Sequence, residues 1–249
     1  MAEDFDDVAE FYNTWTEIAG DGGDLAFYRD LATEHAGLSA DLGIGTGRVA
    51  AVATPTFGVD ISESMLKLAK KAVTSDTQLF QADITSVRFP RLLDFQYCAQ
   101  NTLNHIADGT QHAVFSQAWH NGKAGSFFVL DAALVATEYL RIRDRIPVMR
   151  ARGDSAVVLD ITRLLGDDGR QAEITGILER IGEDGTVLSR QYFRPIRFTF
   201  LTVDEVSRWA TSAGWEIVAI YGGFDRSPLS NDARSAVWVL QKPAEPGNR

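Results

Sequence analysis

The run Asp41-Leu42-Gly43-Ile44-Gly45-Thr46-Gly47 constrains this chain more than any other stretch, because a short apolar strand must there break into a glycine-rich turn and open a helix. Glycines at alternate positions admit positive φ and let the backbone approach a ligand with no Cβ in the way. Further on, Phe57-Gly58-Val59-Asp60 reads as a second short strand that ends on a carboxylate. A carboxylate at that place is where folds of this kind grip a ribose. The pair predicts a site for a nucleotide-like ligand.

Around that turn the chain alternates strand and helix patterns. Apolar residues recur at three- and four-residue intervals over 3–19 and again over 25–35, with the Gly20-Asp21-Gly22-Gly23-Asp24 cluster between them. Ser62 is placed to cap a helix over 63–73. Short strands are expected at 79–82, ending at Asp83, and at 95–99, before Gln100-Asn101-Thr102-Leu103-Asn104-His105. A helix over 113–119 and a buried strand over 125–131 complete a βαβ rhythm, hence a mostly parallel sheet. Residues 156–165, 170–181 and 186–200 instead alternate apolar with polar around two Gly-Xaa-Asp-Gly-type turns, which predicts an antiparallel insertion. Thr202 then caps a helix to about 214, and strands at 215–221 and 236–241 form a closing antiparallel pair.

Composition excludes several classes. A formal charge of −10 disfavours nucleic acid as a partner, since phosphates would be repelled. Cys98 is the only cysteine, so neither an internal disulfide nor a multi-thiolate metal site can form. His35, His105, His112 and His120 lack metal-ligand spacing, and no metal is expected. With an acidic N-terminal stretch and no run of about 18 apolar residues, neither a signal peptide nor a membrane span is expected. The chain reads as a soluble cytoplasmic protein. Arg141, Arg143, Arg145 and Arg150 form its one basic cluster, expected on a solvated helix face.

These stretches resemble the class I S-adenosylmethionine-dependent methyltransferases, in particular the small-molecule branch. Asp41 to Arg48 is similar to that family's first motif, an acidic residue and Leu followed by Gly-x-Gly-Thr-Gly. Gly58-Val59-Asp60-Ile61-Ser62-Glu63-Ser64-Met65-Leu66 resembles the second, and Gln81-Ala82-Asp83-Ile84 the third. Gly214-Trp215-Glu216, followed by Tyr221-Gly222-Gly223-Phe224-Asp225, is similar to the C-terminal helix-to-strand passage. The chain also departs from the pattern. Ile44 replaces a smaller residue, the segment from Gly47 to Asp60 is short by about one helical turn of ~3.6 residues, and Asn121-Gly122-Lys123-Ala124-Gly125 replaces Pro-Gly-Gly.

The resemblance implies an α/β, methyltransferase-type Rossmann fold, a mostly parallel seven-stranded sheet with an inserted small antiparallel β cap. Residues 1–136 and 201–242 would form the core with an N-terminal helical lid, 137–200 the substrate cap, and 243–249 a tail. S-adenosyl-L-methionine would be the cofactor and S-adenosyl-L-homocysteine its product, with a small-molecule methyl acceptor, nitrogen slightly favoured over oxygen. Homodimer formation stays open.

Residue by residue, the resemblance places Gly43, Ile44 and Gly45 under the methionine part, and Asp60 on both ribose hydroxyls, where one carboxylate offers two acceptor oxygens. Asp83 would hold the adenine amino group, with Ile61, Met65 and Ile84 around the ring. Asp41 would reach the ammonium group or serve under the turn. Tyr12 and Trp15 would face the sulfonium, and Arg29 would pair with the carboxylate. Asn101 and His105 would lie beside the transferred methyl, with His105 as a catalytic base for a hydroxyl acceptor.

Other readings stay open. A nicotinamide-dependent oxidoreductase shares a glycine turn and a downstream acid, although its Gly-x-Gly-x-x-Gly would need glycine where Arg48 stands. A cofactor-binding regulatory protein without transferase activity, or a different reaction of the same cofactor, also fits.

Overall fold

The computed structural model describes residues 8–19, 22–135, 148–152, 156–165 and 168–244. Numbered in chain order, strands β1 (Ser39–Leu42), β2 (Phe57–Asp60), β3 (Gln78–Gln81), β4 (Leu93–Cys98), β5 (Gly122–Ala133), β11 (Glu216–Tyr221) and β12 (Ser235–Gln241) form one sheet. Its order is β11-β12-β5-β4-β1-β2-β3. All neighbours pair parallel except β12, which runs antiparallel to both β5 and β11. The direction of winding reverses between β4 and β1, so a crevice opens where their carboxyl ends diverge.

The central strands of this sheet are buried on both faces, which explains their continuous apolar runs. Leu93, Phe95, Tyr97 and Cys98 on β4 and Phe128, Val129 and Leu130 on β5 are fully buried. Each large apolar side chain of this kind contributes about 1.5–3 kcal/mol relative to exposure. The helices are α1 (Ala9–Ala19), α2 (Asp24–Glu34), α3 (Ala50–Ala53), α4 (Glu63–Ala72), α5 (His112–Asn121) and α6 (Val203–Ser212). Ser62 caps α4 by accepting from the Met65 amide at 3.1 Å, as its position predicts. Thr202 and Glu205 form a reciprocal capping box on α6. The short α3, a single turn, is the trimmed first helix that the spacing from Gly47 to Asp60 predicts. Among the described residues no helix is long and apolar enough to cross a membrane.

The insertion forms a second, antiparallel sheet of β6 (Val148–Arg152), β7 (Ala156–Leu165), β8 (Gln171–Ile181), β9 (Val187–Tyr192) and β10 (Ile196–Thr199). Two expectations need correction. Arg150 lies on strand β6, not on a helix face, because that segment pairs with β7 from Val148↔Ile161 to Arg152↔Val157. Arg141, Arg143 and Arg145 fall outside the described residues. The run 186–200 is not one strand. It splits into β9 and β10, which pair with successive parts of β8, and Pro195, with no N–H to donate, stands in the gap.

Among the connections that tie this sheet to the core, two stand out. Asn104, in the 3-10 turn Thr102–His105, donates to the carbonyls of Ala133 at 2.9 Å and Thr199 at 2.7 Å and accepts from the Ala133 amide at 3.0 Å. Helix α1 provides the other. Its Phe11 lies 5.1 Å from the Phe193 ring and against Gly176 of β8, where an added Cβ would stand 2.7 Å from the Phe11 ring. Met65 of α4 and Leu178 of β8 join the same apolar cluster, so α1 is wedged between the two sheets' layers.

Candidate functional site

The glycine turn follows β1 directly. Gly43 has φ 85° and Gly47 φ 86°, and each is held by a close neighbour. A Cβ on Gly43 would stand 2.3 Å from Thr102 Cγ2, and one on Gly47 3.1 Å from the α4 backbone at Ala69. Gly45 is different, since its Cβ position has nothing within 4 Å. The turn therefore packs on its flanks and leaves an open space at its tip.

Where its amides point decides what it can bind. The N–H groups of Gly43 and Ile44 both donate to the Val59 carbonyl at 2.8 Å, and Gly45 N–H donates to Asp60 Oδ2 at 2.9 Å. A phosphate cradle needs those N–H groups aimed at the ligand and a helix of several turns behind them. Here they are committed to β2, and α3 is one turn long. The group presented instead is Asp60, half-buried, with Oδ1 accepting the Ser62 amide at 2.9 Å. A carboxylate has about four acceptor positions, so holding two amides does not prevent it from accepting hydroxyls.

A second wall comes from β4 and β5. Gln100 and Asn101 are consecutive non-glycine residues at φ 59° and 58°. Such an elbow is costly unless something fixes it. Asp131, 3% exposed, does so by accepting the Gln100 amide on Oδ1 and the Asn101 amide on Oδ2, each at 2.9 Å, and the Tyr28 hydroxyl at 2.7 Å. Burial pushes the Asp131 carboxyl up to about 6, against the pull of those donors.

The Gln100 side chain then joins three elements. Its Oε1 accepts from the Tyr12 hydroxyl of α1 at 2.7 Å, and its Nε2 donates to Asp24 Oδ2 at 2.7 Å. Asp24, buried at the start of α2, is paired with Arg48, the residue after the glycine turn. Burial, with the charges of Asp131, Asp24 and Asp60 behind it, raises the Tyr12 phenol above its usual range, opposed by Arg48.

The expected residues are distributed as follows. Asp60, Ile61, Asp83 and Ile84 sit just at or after the ends of β2 and β3. Asp83 is exposed and accepts from Thr85 N–H and Oγ1 at 2.8 and 2.7 Å. Ile61 is half-buried, Ile84 belongs to the main core, and Met65 faces α1 and β8. Asp41 is 2% exposed under the turn, and burial, only partly offset by the nearby Tyr97 phenol, holds its carboxyl well above the usual range. Trp15 lies 6.0 Å from Tyr12, ring to ring.

His105 is half-buried edge-on to Phe198 at 4.9 Å, its Nδ1 3.4 Å from the Arg197 carbonyl oxygen. Burial lowers its pKa to about 4. Arg29 does not join the group. It lies on the outer face of α2, 58% exposed, paired with Asp30 at 2.8 Å.

Sequence reasoning passed over Asp24, Tyr28, Arg48, Gln100 and Asp131 as functional residues. Asp131 carried a signal, a lone acid inside an apolar strand. The others are brought together only by tertiary contacts.

The site fits the methionine-bearing nucleoside better than a dinucleotide. Besides Asp60 and the open tip at Gly45, several buried polar atoms of these residues find no hydrogen-bond partner among the described residues, among them Asp24 Oδ1, Asp41 Oδ1, Arg48 Nε and Trp15 Nε1. Buried polar groups are normally paired, so such a set fits the edge of a site for a polar ligand.

Residues 40–125 match the family model described as a methyltransferase domain. No curated protein matches the chain in sequence. Among solved structures, the chain is similar to the CcbJ methyltransferase from Streptomyces caelestis, with 22% identity and a TM-score of 0.78 over 97% of this chain and 98% of that one. It is also similar to S-adenosylmethionine-bound CalS10, an amino pentose methyltransferase from Micromonospora echinaspora, with 18% identity and a TM-score of 0.72 over 93% and 96%. A third is the sugar N-methyltransferase KedS8 from Streptoalloteichus sp., with 17% identity and a TM-score of 0.69 over 94% and 92%. At these identities the likeness to solved structures establishes the fold, and the matched domain spans the glycine turn, Asp60 and Asp83. Residues 40–125 thus carry a methyltransferase domain, and the chain as a whole has the fold of S-adenosylmethionine-dependent methyltransferases.

Proposed function

We propose that this protein methylates a nitrogen of a small polar molecule, an amino sugar or a glycoside bearing one. The observation that carries the reading is the turn whose amides serve β2 and whose ligand-facing group is the Asp60 carboxylate. That arrangement suits two ribose hydroxyls and not a pyrophosphate. The sugar and amino pentose methyltransferases of the same fold support the acceptor class.

Within this reading Asp60 binds the ribose, and Asp83 the adenine amino group between Ile61 and Ile84, with Met65 behind. Gly43, Ile44 and Gly45 form the floor under the methionine part, and Asp41 Oδ1 takes the ammonium. Tyr12 and Trp15 of α1 present aromatic faces to a cation. The bound cofactor supplies a methyl group on a cationic sulfur. The chain's part is to align an acceptor lone pair with that carbon and exclude water, which is where most of the rate of an in-line displacement arises. The antiparallel sheet of β6 to β10 serves as the cap over the acceptor.

His105 bears on the choice of acceptor atom. With a pKa of about 4 it is neutral near pH 7 and a weak base. A general base is most effective with a pKa near the working pH, so a hydroxyl would gain little from His105. A neutral amine needs no such base, and His105 can accept a hydrogen bond from its N–H. Nitrogen follows.

Calorimetry with S-adenosylmethionine, S-adenosylhomocysteine and NAD⁺ tests the cofactor, and mass spectrometry after incubation with amino sugars and their hydroxyl counterparts tests the acceptor. Methylation of the hydroxyl compounds alone would overturn the nitrogen assignment.

A further inference from the structure

A buried strand gives Asp131 little reason to be an acid. It sits in β5 between Leu130 and Ala132, both fully buried, where an apolar side chain would suit the sheet. Burial works against its charged form and pushes its carboxyl up to about 6. Folding by itself thus favours the protonated acid. The contacts favour the other form. Both oxygens accept: Oδ1 from the Gln100 amide and the Tyr28 hydroxyl, Oδ2 from the Asn101 amide. A proton on Oδ2 would set donor against donor at Asn101, and one on Oδ1 would meet two donors at once.

What the carboxylate holds is the elbow, whose two residues lie in the left-handed region at φ 59° and 58°. Such backbone persists only where its surroundings fix it. From the elbow, Gln100 Oε1 accepts from Tyr12 of α1 and Nε2 donates to Asp24 of α2. The titratable groups that bear on Asp131 come from each element packed on it. Asp24 and Tyr28 belong to α2, the Tyr12 phenol to α1, and Cys98 to β4, its thiol raised by burial and then by the charges of Asp131 and Asp41. On its other side β12 places the apolar Val237 in register with it. Arg48 is paired with Asp24, so the Asp131 charge is held by hydrogen-bond donors, against repulsion from Asp24.

We propose that Asp131 is a positioning residue whose carboxylate form holds the Gln100–Asn101 elbow, and through Gln100 the helix α1, in the arrangement that binds the cofactor. In this role it touches neither cofactor nor acceptor, and the proposal rests on the cofactor reading above. Binding then selects the ionised acid, so a proton leaves the Asp131 carboxyl for the buffer as the cofactor binds. At pH 5 only the ionised minority is competent, and apparent affinity falls about tenfold. The Asp131 contribution to stability runs the other way, being largest where the acid is protonated. Fold and site ask opposite things of one group.

The test is calorimetry of the full chain with S-adenosylhomocysteine, which has no group that titrates between pH 5 and 7.5. The wild-type protein should bind it about tenfold more weakly at pH 5 than at pH 7.5. Titrations at pH 6 in two buffers of different ionisation heat should show release of about half a proton. Asp131→Asn sets an NH2 among those donors, so it should bind weakly at both pH values, within about twofold, and lose the proton release. Tyr28→Phe keeps the carboxylate and removes one donor, and should move the wild-type midpoint to higher pH; it carries the test if Asp131→Asn fails to fold. A flat wild-type affinity, a wild-type pH dependence retained by Asp131→Asn, or an unmoved midpoint in Tyr28→Phe would overturn the proposal. Hydrogen exchange of the α1 amides, read without ligand and corrected for intrinsic rates, tests the elbow separately: protection should fall several-fold from pH 7.5 to pH 5, and protection independent of pH would overturn it equally. No binding of S-adenosylhomocysteine by the wild-type protein at pH 7.5, with α1 exchange still following pH, would instead strike the cofactor reading.

Discussion

The floor formed by β1, β2 and β4 and the layer formed by α1 with β6 to β10 are held in different ways. On the floor, backbone amides are pinned: two by the Val59 carbonyl, one by the Asp60 carboxylate, and two at the elbow by the Asp131 carboxylate. In the layer above, side chains make the contacts, with Phe11 against Phe193 and the Gly176 backbone, and Asn104 on the Thr199 carbonyl. On β9 every residue is exposed, with Leu188 69% and Tyr192 64% exposed. A floor of backbone bonds tolerates few substitutions and serves an invariant ligand. A layer of side chains can be rebuilt for different acceptors without touching that floor.

The largest effect should come from Asp60→Ala. It removes the ribose partner together with the Gly45 and Ser62 bonds, and S-adenosylhomocysteine affinity should fall on the order of a hundredfold or more, since charge-assisted hydrogen bonds contribute about 1.5–3 kcal/mol each. Retained affinity in calorimetry, with a normal melting curve, would remove the ribose assignment.

A glycine pair probes the two regions directly. Gly43→Ala strains a positive φ and collides with Thr102, so chemical denaturation should show a loss of about 2 kcal/mol or more, along with cofactor affinity. Gly176→Ala collides only with the Phe11 ring. It should shift α1, raising KM for the acceptor several-fold while changing S-adenosylhomocysteine affinity less. Equal effects on both ligands would break the division between floor and layer.

Smaller and opposite are the pH effects of one residue from each wall. Asp131 is raised to about 6 from an ordinary 3.8, so the folded state holds its proton more tightly, and its contribution to stability falls as pH rises from about 4 through 6. His105 is lowered to about 4 from 6.5, so the folded state disfavours its proton, and its contribution rises with pH across 4 to 6.5. Denaturation between pH 5 and 7 should therefore show Asp131→Asn tilting the stability curve upward with pH and His105→Gln tilting it downward. Tilts of the same sign would contradict these assignments.

Least of all should change with Arg29→Ala. Exposed ion pairs contribute about 0–1 kcal/mol, and Arg29 meets only Asp30, so S-adenosylhomocysteine affinity should stay within about twofold. A tenfold loss would restore the role first expected for it.

What the sequence made legible follows the same division. The turn, the Ser62 cap, the Thr202 cap and the buried β5 are local patterns, each written in adjacent residues, and all appear where expected. The hairpin turn at 182–186 likewise closes, with Gly182 N–H on the Thr186 carbonyl at 2.8 Å. The linkage of Asp24, Arg48 and Gln100 was invisible, because three distant positions meet only after α2 packs beside the turn. Arg29 drew attention because helix periodicity alone does not say which polar face is turned outward. Strand β6 was missed because its arginines interrupt the alternation that marks a strand.

The commitment of the turn's amides to β2 also determines what this crevice keeps out. Asp24, Asp41, Asp60 and Asp131 gather around it, with Arg48 as the cation among them. Most molecules that carry adenosine carry it with a chain of phosphates, and the amides of Gly43, Ile44 and Gly45 are already committed to Val59 and Asp60. On the proposed cofactor reading, a turn whose amides are spent on β2 would leave a polyphosphate without donors, so that selection among adenosine compounds would begin at the turn and not at the base.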